Sequence, residues 1–289
     1  MQTRTIGPVT VSAIGLGGMP MSIEGRPDEA RSVRTILAAL DAGVTLIDTA
    51  DAYLLNAGET GHNERLIAKA LASYPGDTSD VLVATKGGHV RPGDGSWALD
   101  GSPAHLREAA EASLKALGVE VIGLYQFHRP DPKVPYAESI GALKELLDAG
   151  KIRLAGISNA NVEQIELARS ILGAGNLASV QNEFSPAFRS SEGELRHCAG
   201  AGIAFLPWSP LGGIGRAGQL GTRHAAFGEV AAAHGVSPQR VTLAWMLAKA
   251  PVVIPIPGAS RPESITDSAQ AAELVLSPGE LARLDGSRS

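Results

Sequence analysis

Eight short apolar, β-rich runs recur along the 289 residues, at 12–16, 45–47, 81–85, 121–127, 154–157, 178–181, 203–207 and 252–256, with helical segments between them. That alternation is what a parallel sheet demands. Each parallel strand needs a crossover, usually a helix, to bring the chain back to its starting end. Segment 30–42 sets Val33, Ile36, Leu37 and Leu40 on one face, and 104–117 does the same with Leu106, Ala109, Ala110, Leu114 and Leu117. Further helices are expected at 135–149, 162–172, 192–201 and 238–249, the last with Pro238 in its first turn behind the cap candidate Ser237. Asp41-Ala42-Gly43, Asp148-Ala149-Gly150 and Gly200-Ala201-Gly202 each end a helix on a glycine able to take the left-handed cap. The pattern predicts an α/β fold, a (β/α)8 TIM barrel, as a single domain over residues 1–289. An open doubly wound sheet uses the same alternation, but no break divides this chain into halves.

Two segments stand outside the repeat. Thr5-Ile6-Gly7-Pro8-Val9-Thr10-Val11 reads as a β-hairpin with Gly-Pro at its turn, placed to close the N-terminal end of the barrel. The long stretch 87–103 reads as a loop on the opposite face, and 287–289 as a loose tail. With 25 Lys+Arg against 30 Asp+Glu, the net charge of −5 argues against a nucleic-acid binder, which needs a basic face. One cysteine, Cys198, cannot form an intramolecular disulfide, and every apolar run is interrupted before it reaches membrane-spanning length. The N-terminus lacks the short apolar core of a signal peptide, so a cytoplasmic protein is expected, with no membrane partner. No histidine pair has ligand spacing, so no metal site is expected.

Barrel chemistry gathers at the C-terminal ends of strands. Those ends carry Asp48, Lys86, His128, Ser158-Asn159, Gln181, Trp208-Ser209-Pro210-Leu211 and Pro257-Gly258, with Tyr53 five residues after Asp48. Each has a bland alternative. Asp48 could cap a loop, Tyr53 could be a half-buried loop aromatic, and His128 a satisfied core histidine. Lys86 is harder to dismiss, because an amine directly after Val81-Leu82-Val83-Ala84-Thr85 needs a buried partner, which Asp48 could supply. A merely structural origin for all four together is difficult to sustain.

Leu46-Ile47-Asp48-Thr49-Ala50-Asp51-Ala52-Tyr53, Ala84-Thr85-Lys86 and Leu124-Tyr125-Gln126-Phe127-His128-Arg129-Pro130-Asp131-Pro132 resemble, in order, three signatures of the aldo-keto reductase superfamily. Gly156-Ile157-Ser158-Asn159, Val180-Gln181-Asn182, Ser209-Pro210-Leu211-Gly212 and Ile256-Pro257-Gly258 continue the likeness over nearly the whole chain. The resemblance implies an NADPH-dependent aldehyde or ketone reductase with Tyr53, Asp48, Lys86 and His128 as catalytic residues. Tyr53 would give the proton, its pKa lowered by Lys86 with Asp48 behind it, and His128 would orient the carbonyl. It implies a cofactor site of Gly18, Met19, Asp48, Ser158, Asn159, Gln181, Trp208, Ser209, Pro210, Leu211, Gly213, Gly258, Ser260, Arg261, Ser264 and Ser268. NADPH is favoured over NADH on Arg261 alone, which could instead pair with Glu263. The expected substrate contacts are Tyr53, Trp97, His128 and Arg129, with Arg129 either an anion or hydroxyl contact or a salt-bridge partner of Asp131. The stretches around Gln181 and Trp208 look closest to bacterial members that include pyridoxal reductases, which suggests an aromatic aldehyde. A monomer or weak homo-oligomer is expected.

Two other functions remain open from the residues. Lys86 at a strand end could form a Schiff base, though this leaves Trp208 and Gln181 without a task. A non-catalytic NADPH-binding sensor or partner subunit would keep the same four residues.

Overall fold

A computed structural model describes residues 1–92, 94–173 and 175–287. Arg288 and Ser289 of the expected tail, and Gly93 of the expected 87–103 loop, lie outside the described residues.

The chain opens with an antiparallel hairpin of β1 (Thr3–Ile6) and β2 (Val9–Ser12). Seven parallel strands follow: β3 (Leu16–Gly17), β4 (Leu46–Asp48), β5 (Leu82–Gly87), β8 (Ile122–Phe127), β9 (Ile152–Ser158), β10 (Leu177–Gln181) and β11 (Ala204–Phe205). They pair in sequence order, from β3 at one edge to β11 at the other. A small antiparallel pair, β6 (His89–Val90) and β7 (Ala98–Leu99), sits in what the sequence leaves as a loop. The first expected strand, 12–16, is corrected: Ser12 ends the hairpin, and the barrel strand starts at Leu16.

The eighth expected strand, 252–256, closes the barrel without forming a ladder. Its amides at Ile254 and Ile256 donate to Phe205 and Pro207, while the carbonyls of Pro255 and Pro257 accept from Gly15 and Gly17. Pro255 and Pro257 have no N–H to return toward β3, so the β3 side of this strand is short of donors. Only isolated parallel bridges, Phe205 to Val253 and Gly17 to Gly258, mark the closure.

Side chains alternate in direction along a strand, and this decides what fills the barrel. Leu46, Leu82, Ala84, Leu124, Leu154, Leu206, Ile254 and Ile256 form one buried cluster with Ile6 and Val11 of the hairpin. The hairpin therefore seals the N-terminal end with two apolar side chains. Two residues above Leu46, Ala84 and Leu124 come Asp48, Lys86 and Gln126, so the barrel lining turns polar only at its last layer.

The helices are α1 (Glu29–Asp41), α2 (His62–Ser73), α3 (Pro103–Leu117), α4 (Tyr136–Asp148), α5 (Val162–Leu172), α6 (Glu192–Ala201), α7 (Leu220–Arg223), α8 (Ala225–His234), α9 (Pro238–Leu247), α10 (Pro262–Ala269) and α11 (Pro278–Gly286). Ser237 caps α9 as expected, accepting from the Arg240 amide, and Gly202 ends α6 at φ 68°. Helix α2 has no clear signal in the sequence. Its buried face includes Asn63 and Glu64 with Leu66, Ile67 and Ala70, so polar groups interrupt the apolar period. Among the described residues no helix is long and apolar enough to cross a membrane.

Candidate active site

Asp48, Lys86 and Tyr53 meet at the polar top layer. Lys86 lies at 0% exposure and donates from Nζ to Asp48 Oδ1 at 2.6 Å, Thr49 O at 2.8 Å and Tyr53 Oη at 3.2 Å. All three ammonium donors are used. The other Asp48 oxygen accepts from Gln181 Nε2 at 2.7 Å and Gln126 Nε2 at 3.3 Å. Gln126 is not among the expected site residues. Its signal was its position two places beyond Leu124, on the inward row.

Electrostatics follow from this burial. Burial pulls the Lys86 pKa down, but the charges and hydrogen bonds of Asp48 and Tyr53 outweigh it and leave the ammonium more strongly held than usual. Burial pushes the Tyr53 phenol above its ordinary value, Lys86 pulls it back, and Asp48 works against Lys86. The expectation that Lys86 makes Tyr53 a stronger acid than a free phenol is thus corrected: desolvation wins. His128 is held well below the usual imidazole range, by burial first and then by Lys86, His89 and Arg129. It is neutral at pH 7.

His128 Nδ1 is buried with no hydrogen-bond partner among the described residues, so no such bond on that nitrogen orients the ring. Packing does so instead. His89 lies parallel to it at 4.2 Å between centroids and 17° between planes, and Tyr53 meets it edge-on at 5.8 Å. Trp97 in turn tilts onto His89 at 5.3 Å, and Arg91 lies over Trp97 at 4.6 Å. His89 was invisible to the sequence reading, because the β6/β7 pair that carries it has no apolar alternation to announce it.

These groups open on a cavity of about 570 Å³ above the barrel. Of the expected site residues, Met19, Asp48, Tyr53, Trp97, His128, Arg129, Ser158, Asn159, Gln181, Trp208, Ser209, Pro210, Leu211, Gly213, Gly258, Ser260 and Ser264 line it. Lys86 sits beneath the lining. Gly18, Arg261 and Ser268 do not line the cavity. Gly18 packs behind the wall, where a Cβ would come within 2.4 Å of Asn63 Oδ1. Ser268 is buried in α10, while Arg261 is exposed and donates from Nε to Ser264 Oγ at 2.7 Å; among the described residues it makes no ion pair with Glu263.

Asn159 ties the rim together from a left-handed backbone conformation at φ 57°. Its Nδ2 donates to His128 O and to Ser158 Oγ, both at 3.0 Å, and its Oδ1 accepts from Trp208 Nε1 and Arg129 Nη2, both at 3.2 Å. The amide is fully used by the protein. Gln181 differs: its Oε1 makes no hydrogen bond among the described residues. No group of three or more His, Cys, Asp or Glu that could hold a metal ion occurs among those residues.

The model of the Aldo/keto reductase family matches residues 13–288. The chain belongs to the aldo/keto reductase family. It is 33% identical over 287 residues to an uncharacterized oxidoreductase of Schizosaccharomyces pombe, covering 98% of this chain and 89% of the relative. It is 33% identical over 294 residues to pyridoxine 4-dehydrogenase of Escherichia coli K12, covering 98% and 97%. An aldo/keto reductase from Klebsiella pneumoniae, solved in complex with NADP and acetate, superposes with a TM-score of 0.80 at 27% identity, covering 98% of this chain and 95% of that one. As an aldo/keto reductase, the chain is an oxidoreductase acting on small carbonyl compounds.

Behind the site, Asp51 and Glu64 are two carboxyls at 4% and 0% exposure, and among the described residues Asp51 Oδ1 and Glu64 Oε2 accept no well-formed hydrogen bond. Burial, then the Glu64 charge, raises Asp51 well above the carboxylate range, and burial raises Glu64. A group that binds its proton more tightly when folded stabilises fully below its unfolded pKa, about 4, and loses that contribution as pH climbs through the folded value. Asp51→Asn is expected to gain thermal stability over the parent as pH is raised from 5 to 8, by at least ~2 °C, or ~1 kcal/mol for a chain of this size. Melting curves at the two pH values check this, and a constant difference overturns it.

Proposed function

We propose that this aldo/keto reductase reduces an aldehyde or ketone to the alcohol with NADPH, with Tyr53 as proton donor, Lys86 and Asp48 stabilising the phenolate it becomes, and His128 holding the carbonyl. The observation that carries the proposal is Lys86 Nζ, shared at 2.6 Å with Asp48 and 3.2 Å with Tyr53 beneath the cavity lined by Tyr53 and His128.

The cavity wall fits a dinucleotide. Gln181 Oε1 is a spare acceptor suited to the amide hydrogens of a carboxamide. The half-buried indole of Trp208, pinned through Nε1 to Asn159, offers a fixed flat surface for a nicotinamide ring. Ser260 and Ser264 line the far end beside the N-terminus of α10, where backbone N–H groups favour anions. Arg261 is the cation available there for a 2′-phosphate. When bound, the reduced nicotinamide supplies the hydride.

The chain's own residues then handle the oxygen. A neutral His128 donates a hydrogen bond to the carbonyl and polarises it without giving up its proton. A phenol raised by burial stays loaded at neutral pH and releases its proton only to the strongly basic oxygen of the developing alkoxide. The phenolate left behind is met at once by the Lys86 ammonium, whose charge Asp48 maintains. Reduction therefore suits neutral pH, and oxidation, which needs the phenolate, improves as pH rises. Lys86 is poorly suited to Schiff-base chemistry, since that requires an amine freed of its proton.

The proposed substrate is an aromatic aldehyde such as pyridoxal. Trp97, His89 and His128 form a continuous aromatic wall, and a relative matched over 98% of this chain is named pyridoxine 4-dehydrogenase. Loss of NADPH absorbance across a panel of aldehydes and ketones tests the reading, and no turnover of any of them overturns it. Arg261→Ala is expected to raise the KM for NADPH at least ~10-fold, about 1.4 kcal/mol, with little effect on NADH. Equal effects on both cofactors would remove Arg261 from phosphate recognition.

A further inference from the structure

One cation at the rim has no task in the proposed reaction. Arg129 directly follows His128, lines the same cavity and is exposed. The sequence leaves it two roles, an anion or hydroxyl contact and a salt bridge to Asp131. The salt bridge does not form. Asp131 is buried at 7% exposure and gives its oxygens to backbone amides, Oδ2 to Gly101 at 3.0 Å and Oδ1 to Lys133 at 2.9 Å.

Among the described residues Arg129 makes no ion pair. Glu183 feels its charge, yet burial outweighs Arg129 and leaves that carboxyl raised. The hydrogen bond of Arg129, from Nη2 to Asn159 Oδ1 at 3.2 Å, goes to a neutral acceptor shared with Trp208. It aims the guanidinium without neutralising it. A guanidinium carries five N–H donors in a planar fork, so most remain for a ligand.

Among the described residues of the cavity lining no free anion competes for Arg129. Asp48 is the acidic residue of the lining, and its charge is already matched by Lys86 at 2.6 Å. The depressed pKa of both imidazoles, His89 to about 4 and His128 well below normal, includes a contribution from Arg129. Beside this charge stands the Trp97–His89 wall, with Trp97 itself 41% exposed and free to cover an apolar body.

Given the carbonyl-reductase reading on which this rests, we propose that Arg129 is an anion subsite of the substrate pocket. Among aromatic aldehydes this selects those bearing a carboxylate or phosphate oxyanion for the Arg129 fork, with the ring against Trp97 and His89, over pyridoxal, which carries neither. A paired oxyanion matches the fork with two parallel hydrogen bonds.

The test compares kcat/KM at low salt for benzaldehyde, 3- and 4-carboxybenzaldehyde, 3-formylphenyl phosphate and 4-trimethylammoniobenzaldehyde, in the wild type, Arg129→Lys and Arg129→Met. The readout is the ratio of anionic to neutral aldehyde within each protein. The wild type should prefer one anionic aldehyde at least ~10-fold and disfavour the cation. The ratio should shrink in Arg129→Lys, approach unity in Arg129→Met, and fall with added salt. The carboxylate and phosphate arms tell the two oxyanions apart. An unchanged ratio in Arg129→Met overturns the subsite, as does a change confined to the KM for NADPH. Failure of the wild type to turn over any of these aldehydes would instead sink the reductase reading.

Discussion

Lys86→Met is expected to cut turnover by about a thousandfold, within the ~10²–10⁴ range of a positioned proton-transfer group, and to melt earlier than the parent. Two effects combine. The cation facing the Tyr53 hydroxyl disappears, so the phenolate left after proton transfer is buried without a counter-charge. Asp48, at 3% exposure, also keeps its carboxylate with only the Gln181 and Gln126 amides as side-chain donors. Leaving one member of a buried pair alone costs about 3–5 kcal/mol. The two effects separate in the double variant Lys86→Met/Asp48→Asn, where the stranded charge is gone. Its melting temperature should recover most of the loss while turnover stays low. Steady-state rates and thermal melts of the parent and the two variants check this, and near-parental turnover in Lys86→Met would count against the proton-donor assignment.

Tyr53→Phe should lower kcat by about 10²–10⁴ and leave the cofactor Kd within roughly threefold. The change removes one oxygen. The ring remains, still edge-on to His128 at 5.8 Å, and Lys86 retains Asp48 and Thr49 O as acceptors. The cavity surface near Trp208 and Gln181 is untouched, so binding and chemistry should part company. Fluorescence titration with NADPH beside a turnover assay measures both. Parental kcat in the variant would place the proton source elsewhere.

Local signals carried much of this fold. Residues 162–172 and 192–201 are helices with the expected bounds, because a helix of this kind is written in nearby residues: Asn161 and Gln164 form a reciprocal capping box at the start of α5. Strand ends were equally legible. An apolar run tells where a strand stops, which is why Asp48 could be named as the neighbour of Lys86 before any coordinates, whereas the bond from Gln181 to Asp48 could not. Tertiary neighbours override the local pattern at two of the expected strands. The 252–256 run looks like any other strand, yet its prolines allow only one edge to donate. The 12–16 run is cut in two: Ser12 stays in the hairpin, its amide bonded to Thr45 Oγ1, and the barrel strand starts at Leu16.

What the sequence determined by itself was the order of β and α units and the rim positions that carry a carboxylate, a phenol, an ammonium and an imidazole, since periodicity and strand ends depend on near neighbours. Tertiary structure alone decided their electrostatic state and their company. Burial sets the Tyr53 phenol above its normal range despite Lys86, His89 stacks on His128 from an unforeseen pair of strands, and Asp131 turns to backbone amides, so that Arg129 makes no ion pair among the described residues. Desolvation and partner choice depend on segments distant in the chain, and no local reading contains them.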